Sequence, residues 1–159
     1  LCILPGQQVW SVRVDVHILD DDGSVGDAAL LAAMTGLAAF RRPDVQVLEG
    51  QVKVFSEFER HPVPLTVMHQ PAACTVAFLG GEGEESEAVK VLLDPTYLEE
   101  TALDGTATLV LNRQGELVTA VKAGGQPVPG NILSEECLRH AKIRTMALFE
   151  VMTAFLAGK

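Results

Sequence analysis

The sequence predicts an α+β fold: a mixed β-sheet with helices over one face. Short runs rich in β-branched residues are separated by turns of Gly, Pro, Asp and Asn, which is typical of strands joined by loops. Two longer runs, 27–40 and the segment from Ser134 onward, have the length and start signals of helices. The predicted order is strand, helix and connector, then β-β-β-α-β-β-α, in which strands are grouped as in α+β proteins.

Size and charge limit the classes of protein that this chain can represent. Its 159 residues suffice for one domain or two small lobes, and 48% hydrophobic residues supports a buried core. Twelve Lys and Arg against 21 Asp and Glu give a net charge of −9. Because phosphate neutralisation supplies most nucleic-acid affinity, this balance disfavours an isolated RNA-binding module. Any RNA contact would need positive potential from a partner.

The start of the chain and its cysteines give two further predictions. The chain begins LCILPG inside an apparently strand-like run and shows no secretory signal, so we expect that the front of a longer protein is missing. Cys2, Cys74 and Cys137 are odd in number and far apart in sequence. They are therefore predicted to be buried free thiols rather than disulfide partners or zinc ligands.

The first predicted strand, VWSVRVDVHIL, alternates apolar and polar residues from Trp10 to Ile18. Its polar face carries Arg13, Asp15 and His17 and leads into the acidic run 20–22, a combination that could form a metal or acid/base cluster. Alternation alone explains the same residues. We interpret the polar face as a half-exposed or subunit-facing strand surface.

The first predicted helix opens with Ser24-Val25-Gly26-Asp27, which matches the pattern of a capping hydroxyl followed by a first-turn carboxylate. Its body, DAALLAAMTGLAAF, is apolar nearly all round, so it should be buried on most sides or packed against another subunit. We therefore expect the chain to associate with itself or with partners. Pro43 ends the helix near Arg41-Arg42, the one paired basic site of the sequence.

The rest of the chain divides into a connector and a second set of elements. Residues 45–64 form the connector, with a short hairpin around Glu49-Gly50, and the Gly/Glu-rich stretch GGEGEESE is predicted to be a mobile hairpin loop. The predicted strands are LTVMH, ACTVAFL, AVKVLLD, ATLVLN and LVTAVKA, and the predicted helices are PTYLEETAL and the segment from Ser134. The histidines have no metal-ligand spacing, and the sequence contains neither a GxSxG nor a phosphate-loop motif.

Several stretches together resemble the non-catalytic RNase PH-like ring subunits of the eukaryotic RNA exosome, in particular the subfamily of the polymyositis/scleroderma autoantigen. These stretches are LCILPGQQVWSVRVDVHILDDDG, AALLAAM, FRRPDV, VPLTVMHQP, LLDPTYLEE and VKAGG. The resemblance implies the two-lobed RNase PH-like fold, also called ribosomal protein S5 domain 2-like. Residues 1–62 would then be the end of the first lobe plus a connector, and residues 63–159 the second lobe.

The same resemblance implies a catalytically silent subunit. Active members of the family hold the attacking phosphate with a Gly-Gly-Ser/Thr-Arg turn, whereas Gly26 and Asp27 stand at the corresponding place here. Their acid/base aspartate corresponds to Ala107 in an ungapped comparison, and Asp104 would need a three-residue slip to serve. Loss of both groups removes acid catalysis and anion stabilisation together. No cofactor or metal is implied.

The implied function is a structural one. The resemblance places the chain in a hexameric ring of RNase PH-like subunits, with cap proteins, associated nucleases and RNA as partners. It would support 3′-to-5′ RNA processing and degradation, including that of ribosomal RNA, in the nucleus, nucleolus and cytoplasm. The alternative is a phosphate-dependent 3′-to-5′ exoribonuclease, active alone or with a partner subunit.

Arg41 and Arg42 are the candidate residues for contact with RNA or a neighbouring subunit. They come directly after the predicted helix and belong to no hydrophobic pattern. A structural role is equally open at this point: the pair could neutralise the negative end of the helix dipole and pair with acids such as Asp44.

Overall fold

A computed structural model of the chain describes residues 1–80, 89–122 and 124–158. Beyond Gly80, the predicted loop GGEGEESE lies outside the described residues. The helices are α1 (Val25–Ala39), α2 (Tyr97–Ala102) and α3 (Leu138–Ala157), the last preceded by a π-helical segment, Ile132–Cys137. The strands are β1 (Cys2–Leu4), β2 (Gln8–Val9), β3 (Arg41–Arg42), β4 (Val45–Leu48), β5 (Gln51–Val54), β6 (Val63–Pro64), β7 (Ala72–Leu79), β8 (Lys90–Leu93), β9 (Gly105–Leu111) and β10 (Leu117–Val121). None of the described helices has the length and apolar content needed to cross a bilayer.

The central sheet has four strands in the order β10-β9-β7-β8, and helices α1 and α3 pack against β7. The predicted α+β class is confirmed. Every pairing in this sheet is antiparallel, however, where the sequence analysis expected a mixed sheet. The connections explain this arrangement. Strands β7 and β8 follow one another in the chain and pair as neighbours, and so do β9 and β10. Between these pairs, α2 carries the chain from β8 to the other side of β7, where β9 runs in the opposite direction to β7.

The core consists of two clusters of buried side chains. The larger cluster lies between the sheet and the start of α3, and its members are Cys74, Val76, Phe78, Ala107, Leu109, Leu111, Cys137 and Ala141. The smaller cluster joins α1, β7 and α3 through Met34, Ala72, Phe149 and Met152. Helix α1 is therefore attached to the sheet both by apolar packing along its length and by polar contacts at its N-terminus.

Two of the three cysteines are buried free thiols, as predicted, whereas Cys2 is exposed. Burial raises the pKa of Cys74 to about 12 and that of Cys137 to about 11. Both thiols therefore stay protonated and unreactive at neutral pH, since the thiolate is the nucleophile.

The predicted strand at 10–18 is the clearest difference between sequence and structure. Only Gln8–Val9 pairs, with Cys2–Leu4, and residues 10–20 form no strand. A strand requires a neighbour for its backbone hydrogen bonds, and no described strand lies beside this segment. Its apolar side chains Val14, Val16 and Ile18 are consequently exposed. With one side of α1, the segment lines a groove of about 560 Å³.

Helix α1 is less buried than its composition predicted. Met34 is its one buried residue, and an exposed stripe of small residues, Ala28, Ala32 and Gly36, runs along its outer face. The helix ends at Ala39, close to the predicted end at Phe40. Of the two possibilities that the sequence left open, burial on most sides is wrong for the described residues, and association with another subunit stays a prediction.

The connector and the later elements follow the sequence prediction with local changes. Strands β4 and β5 form the predicted hairpin, and Glu49 and Gly50 both have the positive φ angles of a tight hairpin turn. The predicted strand LTVMH is not paired, because the adjacent ladder is confined to Val63–Pro64 against Arg41–Arg42. The last helical segment begins at Ile132, two residues before Ser134.

Candidate functional site

The candidate site lies where the N-terminus of α1 meets the central strand β7. Asp27, in the first turn of α1, accepts hydrogen bonds from the Thr75 backbone amide and, at 2.9 Å, from the Thr75 hydroxyl. Thr75 Oγ1 also lies 2.9 Å from Thr108 Oγ1 on β9. One carboxylate thus connects the first helix with two strands of the sheet.

The end of β8 explains why the Thr75 amide needs this carboxylate. Strand β8 pairs with β7 as far as Leu93 opposite Val76, and Asp94 then turns into the left-handed region at φ 54°. The Asp94 amide still donates to Thr75 O at 3.2 Å, but the ladder ends there, and the Thr75 amide donates to the Asp27 carboxylate instead of to a carbonyl of β8. The Asp27 carboxylate therefore takes the place of the next β8 residue beside Thr75.

The turn before α1 is held against the loop between β8 and α2. The Ser24 amide donates to Glu100 Oε1 at 2.8 Å, and the Ser24 hydroxyl donates to Pro95 O at 3.4 Å. Gly23 has φ +86°, and a Cβ added there would lie 2.2 Å from Pro95 O. Only glycine allows this approach of the two backbones.

These contacts correct the predicted capping role of Ser24. Its side chain makes no cap hydrogen bond, and its φ of 49° is left-handed. The hydroxyl and the Asp27 carboxylate, which the sequence pattern assigned to the helix's own amides, bond instead to the second part of the chain. A true capping box occurs at α2, where Thr96 and Glu99 satisfy each other's backbone amides.

A cavity of about 250 Å³ adjoins this junction, with Asp27, Asp94 and Arg144 among its lining residues. Arg144 Nη2 lies 2.8 Å from Asp94 Oδ2, so the guanidinium is already paired. Two carboxylates against one paired arginine make the cavity unsuitable for an anion such as phosphate.

Burial raises the pKa of the Asp27 carboxyl above its ordinary value, and the negative charges of Asp94 and Glu100 raise it further. The two hydrogen bonds from Thr75 act in the opposite direction and lower it. Since the net direction is upward, the ionised carboxylate is held at this junction at some cost to the folded state.

The two residues considered for the acid/base position have different surroundings in the structure. Ala107 is buried in the core of the sheet, on β9. Asp104 directly precedes β9; its Oδ2 accepts from the Gly80 amide at 2.8 Å, and its backbone amide donates to Phe78 O at 2.9 Å. Asp104 thus fixes the end of β7.

Arg41 and Arg42 lie in β3, directly after α1. Arg41 Nη1 is 3.2 Å from the carbonyl oxygens of Ala38, Ala39 and Phe40, the last carbonyls of the helix region. Arg42 Nη1 donates to Pro43 O at 3.1 Å. The acid that sequence reasoning offered as their partner, Asp44, is instead paired with Arg60 at 3.0 Å.

The charged residues between positions 13 and 22, which could have formed a metal or acid/base cluster, do not come together in the structure. Arg13 and Asp15 form an exposed ion pair at 2.8 Å, and the Asp21 carboxylate accepts from the Gly23 amide in the following turn. Within the described residues, no group of three His, Cys, Asp or Glu side chains could hold a metal ion.

Sequence reasoning missed Thr75, Pro95 and Glu100 as members of the junction. Thr75 stands in the apolar strand ACTVAFL, where a buried threonine, 7% exposed, needs a polar partner. That signal was available, but its partner lies 48 residues away and could not be named from local pattern.

Comparison with known families gives two matches along the chain. The profile described as the 3′ exoribonuclease family, domain 1, matches residues 1–43. The profile described as the 3′ exoribonuclease family, domain 2, matches residues 69–142.

Curated relatives carry the name of an exosome component. "Exosome complex component RRP45" of Homo sapiens is 35% identical over 156 residues, which cover 98% of this chain and 33% of the relative. The Saccharomyces cerevisiae protein of the same name is 39% identical over 144 residues, 86% of this chain and 47% of the relative. "Exosome complex component RRP45B" of Arabidopsis thaliana is 38% identical over 155 residues, 96% of this chain and 34% of the relative. The chain therefore spans about a third to a half of these relatives.

Solved structures with a similar fold also come from exosomes. One described as an archaeal exosome core has a TM-score of 0.63 at 24% identity, covering 85% of this chain and 47% of that chain, and this likeness concerns the fold alone. An Archaeoglobus fulgidus exosome with RNA bound to the active site has a TM-score of 0.59 at 25% identity, covering 83% of this chain and 44% of that chain.

The close approach at Gly23 gives a first prediction. Gly23→Ala should lower the free energy of unfolding by about 2 kcal/mol or more, because the new Cβ meets the Pro95 carbonyl and the φ angle is unfavourable. Gly26→Ala is the matched control: Gly26 lies in α1 with nothing within 4 Å of its added Cβ, so that change should be neutral or stabilising. Urea unfolding measures both, and equal effects would contradict the assigned contact.

The raised pKa of Asp27 gives a second prediction. The Asp27 carboxyl stays protonated to a higher pH in the folded state than in the unfolded state. Protonation therefore stabilises the folded state at low pH, and this stabilisation is lost as the pH rises through the folded-state pKa. Acidification from neutral pH should therefore stabilise the wild type relative to Asp27→Asn, measured by urea midpoints.

A control with the opposite sign is available at Glu59. Hydrogen bonds from Ser56 lower the pKa of the Glu59 carboxyl, so acidification should destabilise the wild type relative to Glu59→Gln. If acidification shifts the stability of the wild type relative to Asp27→Asn and relative to Glu59→Gln in the same direction, the raised pKa assigned to Asp27 is wrong.

Proposed function

Because the chain belongs to the RNase PH-like 3′ exoribonuclease family, we propose that it is part of a catalytically silent ring subunit of the RNA exosome. Profile matches to both domains of the family and the names of relatives at 35–39% identity support the proposal. The proposed lobes are residues 1–62, the end of the first lobe with the connector, and residues 63–159, the second lobe. The matched ranges, 1–43 and 69–142, support a division in the connector.

The observation that carries the silent role is the pairing of Asp27 with Thr75. Active family members resemble one another in placing a phosphate-binding arginine at the start of this helix. Here a carboxylate occupies the start of α1, and it is engaged with the amide and hydroxyl of β7. A phosphate brought to this place would meet the negative charges of Asp27 and Asp94, and Arg144 is already paired with Asp94.

The acid position supports the same conclusion. Ala107 offers no proton and is enclosed by the sheet core, and the Asp104 carboxylate is used to hold the Gly80 amide. General acid catalysis needs a group within hydrogen-bond reach of the leaving oxygen. Since the chain has neither the phosphate-binding arginine nor an available acid residue, its proposed role is to build and support the ring.

The names of the relatives support assembly into an exosome complex, and the proposed partners are those that the sequence resemblance implies. They are other RNase PH-like subunits in a hexameric ring, cap proteins, associated nucleases and RNA passing through the assembly. The proposed place of action is the nucleus and cytoplasm, including the nucleolus. Such a subunit contributes to 3′-to-5′ RNA processing through the complex rather than through its own chemistry.

Phosphorolysis is the direct test of the silent role. Full-length protein, alone and with its ring neighbours, should release no nucleoside diphosphate from labelled RNA when inorganic phosphate is added. A phosphorolytic member of the family serves as the positive control. Phosphate-dependent shortening of the RNA by this protein alone would establish the alternative, an active exoribonuclease. Shortening that appears only in the presence of one neighbour would point to a composite site.

For Arg41 and Arg42 we favour a structural role over RNA contact. The Arg41 guanidinium lies against the last carbonyls of the α1 region, where positive charge balances the negative end of the helix dipole. The guanidinium of Arg42 is engaged with Pro43 O and is only partly exposed. Both groups therefore have hydrogen-bond partners within the chain.

The double change Arg41→Ala and Arg42→Ala separates these roles. It should lower the free energy of unfolding by about 0.5–1 kcal/mol and leave RNA binding by the assembled ring unchanged at low and high salt. Arg139→Ala with Lys142→Ala removes the same charge from the exposed surface of α3 and serves as the control. If the first pair alone weakens binding at low salt and flattens the salt dependence, the two arginines contact RNA.

A further inference from the structure

A short sequence pattern recurs in this chain that is typical of sites for acid-directed protein kinases. Kinases of this class select a serine or threonine that is followed, at the third position after it, by a carboxylate that complements a basic surface of the enzyme. The pattern occurs four times, at Ser24, Ser56, Thr96 and Thr101. Because the same pattern also caps helices, the surroundings of each hydroxyl decide which of the four is available.

Three of the four hydroxyls are enclosed or used by the fold. Ser24 is 7% exposed, and its hydroxyl donates to Pro95 O. The Thr96 hydroxyl is bonded to Glu99 in the capping box of α2. Thr101 donates its hydroxyl to a carbonyl of its own helix, and the acid three residues after it is held by a backbone amide.

Ser56 has different surroundings. It begins a run of six exposed residues, 56–61, in the turn that follows β5. Glu57 has no hydrogen bond or ion pair among the described residues. The Glu59 side chain, at the third position, is 51% exposed. The hydroxyl and both acids of the stretch S-E-F-E therefore face solvent.

The contacts that hold this turn are ones that an enzyme can open. The Glu59 carboxylate accepts from the Ser56 amide at 3.0 Å and from its hydroxyl at 3.2 Å, and Lys53 Nζ lies 3.4 Å away. All of these groups are exposed, so the contacts contribute little to stability. The buried anchor of the segment is Phe55, which precedes the turn. Local opening of residues 56–59 therefore leaves the core intact.

We infer that Ser56 is a phosphorylation site for an acid-directed protein kinase. The enzyme binds the carboxylates of Glu57 and Glu59 and transfers the γ-phosphoryl group of a nucleoside triphosphate to Ser56 Oγ. The Oγ–P bond forms, the bond from that phosphorus to the oxygen of the departing nucleoside diphosphate breaks, and the hydroxyl proton passes to the catalytic base of the kinase. The inference does not rest on the proposed function, since it concerns an exposed turn of the connector.

The modified turn has a cation available for the phosphate. The Glu59 carboxylate joins the Ser56 hydroxyl to Lys53, so a phosphate on that hydroxyl replaces the carboxylate beside the ammonium group. Arg60 is less available, because it stacks on the Phe55 ring at 3.8 Å and pairs with an acid at 3.0 Å. The phosphate therefore pairs with Lys53, and the Glu59 side chain turns to solvent.

Phosphorylation in vitro tests the site directly. Full-length folded protein, incubated with casein kinase II and ATP, should carry phosphate on the peptide that contains Ser56, as located by mass spectrometry. Ser56→Ala should remove that modification. Ser134 is the matched control in the same sample, because it is exposed and followed by Glu135 and Glu136 but has Cys137 at the third position. The peptide that contains Ser134 should stay unmodified.

Glu59→Gln separates recognition of the turn from protection of its hydroxyl. If the carboxylate is the recognition group, its loss should slow modification of Ser56 by about tenfold or more. If the carboxylate mainly shields the hydroxyl that it accepts from, the same variant should react faster. Glu116→Gln removes an exposed carboxylate outside the turn and should leave the rate unchanged.

NMR of the phosphorylated protein tests the pairing with the cation. The side-chain signals of Lys53 should shift on phosphorylation of Ser56, whereas those of Lys90, which is also exposed, should stay in place. Matching urea midpoints of the unmodified variants show that each of them folds.

Three results overturn the inference. Ser56 could take up no phosphate from the folded protein, or take it up only after denaturant has unfolded the chain. Its rate of modification could also be unchanged or raised in Glu59→Gln. RNA phosphorolysis does not involve this turn, so failure here and failure of the proposed function are distinguishable.

Discussion

The hydrogen bonds from Thr75 to the Asp27 carboxylate determine how the first helix sits on the rest of the chain. Strand β8 ends at Leu93 and the chain turns at Asp94, so the Thr75 amide donates to Asp27 rather than to a carbonyl of β8. A buried amide without a partner is costly, and Asp27 supplies the missing acceptor. Ser24 and Gly23 then bring the preceding turn against Pro95 and Glu100. The position of α1 therefore depends on this carboxylate together with the apolar packing around Met34.

This use of a helix N-terminus is incompatible with its use as a phosphate site. A helix start attracts anions because its amides and dipole are positive there. In this chain the attracted anion is the protein's own side chain, which is fixed to β7 and raised in pKa by burial. Under the proposed function, the place where active relatives hold their reactant has become a joint between two parts of one subunit.

The same architecture leaves three surfaces that the described residues do not cover. The segment 10–19 has strand-like alternation without a neighbouring strand, α1 exposes Ala28, Ala32 and Gly36, and β10 is an apolar sheet edge. Exposed apolar surfaces of this kind mark contacts with other protein segments. Under the proposed function, these surfaces are candidates for contact with other exosome subunits.

Local sequence determined the elements whose signals lie within a few residues. Examples are the β4–β5 hairpin at Glu49-Gly50, the end of α1 before Pro43, and the strands ATLVLN and LVTAV. Periodicity alone is insufficient for α3: Met146 and Phe155 share the apolar spacing of Phe149 and Met152 yet are exposed, whereas Thr145 is fully buried and donates to Ala141 O. A threonine that satisfies its hydroxyl on its own helix can enter a core, and no hydrophobic pattern marks it.

Tertiary structure decided what depends on partners distant in sequence. Alternation at 10–18 predicted a strand, but strand formation requires a neighbouring backbone, and none is present beside it in the described residues. The serine and aspartate at the start of α1 matched a capping pattern, yet both bond to residues far along the chain. The sequence by itself therefore determined most of the element types and the family resemblance. Only the folded chain decided which polar groups satisfy one another, because hydrogen bonds join atoms that are neighbours in space rather than in sequence.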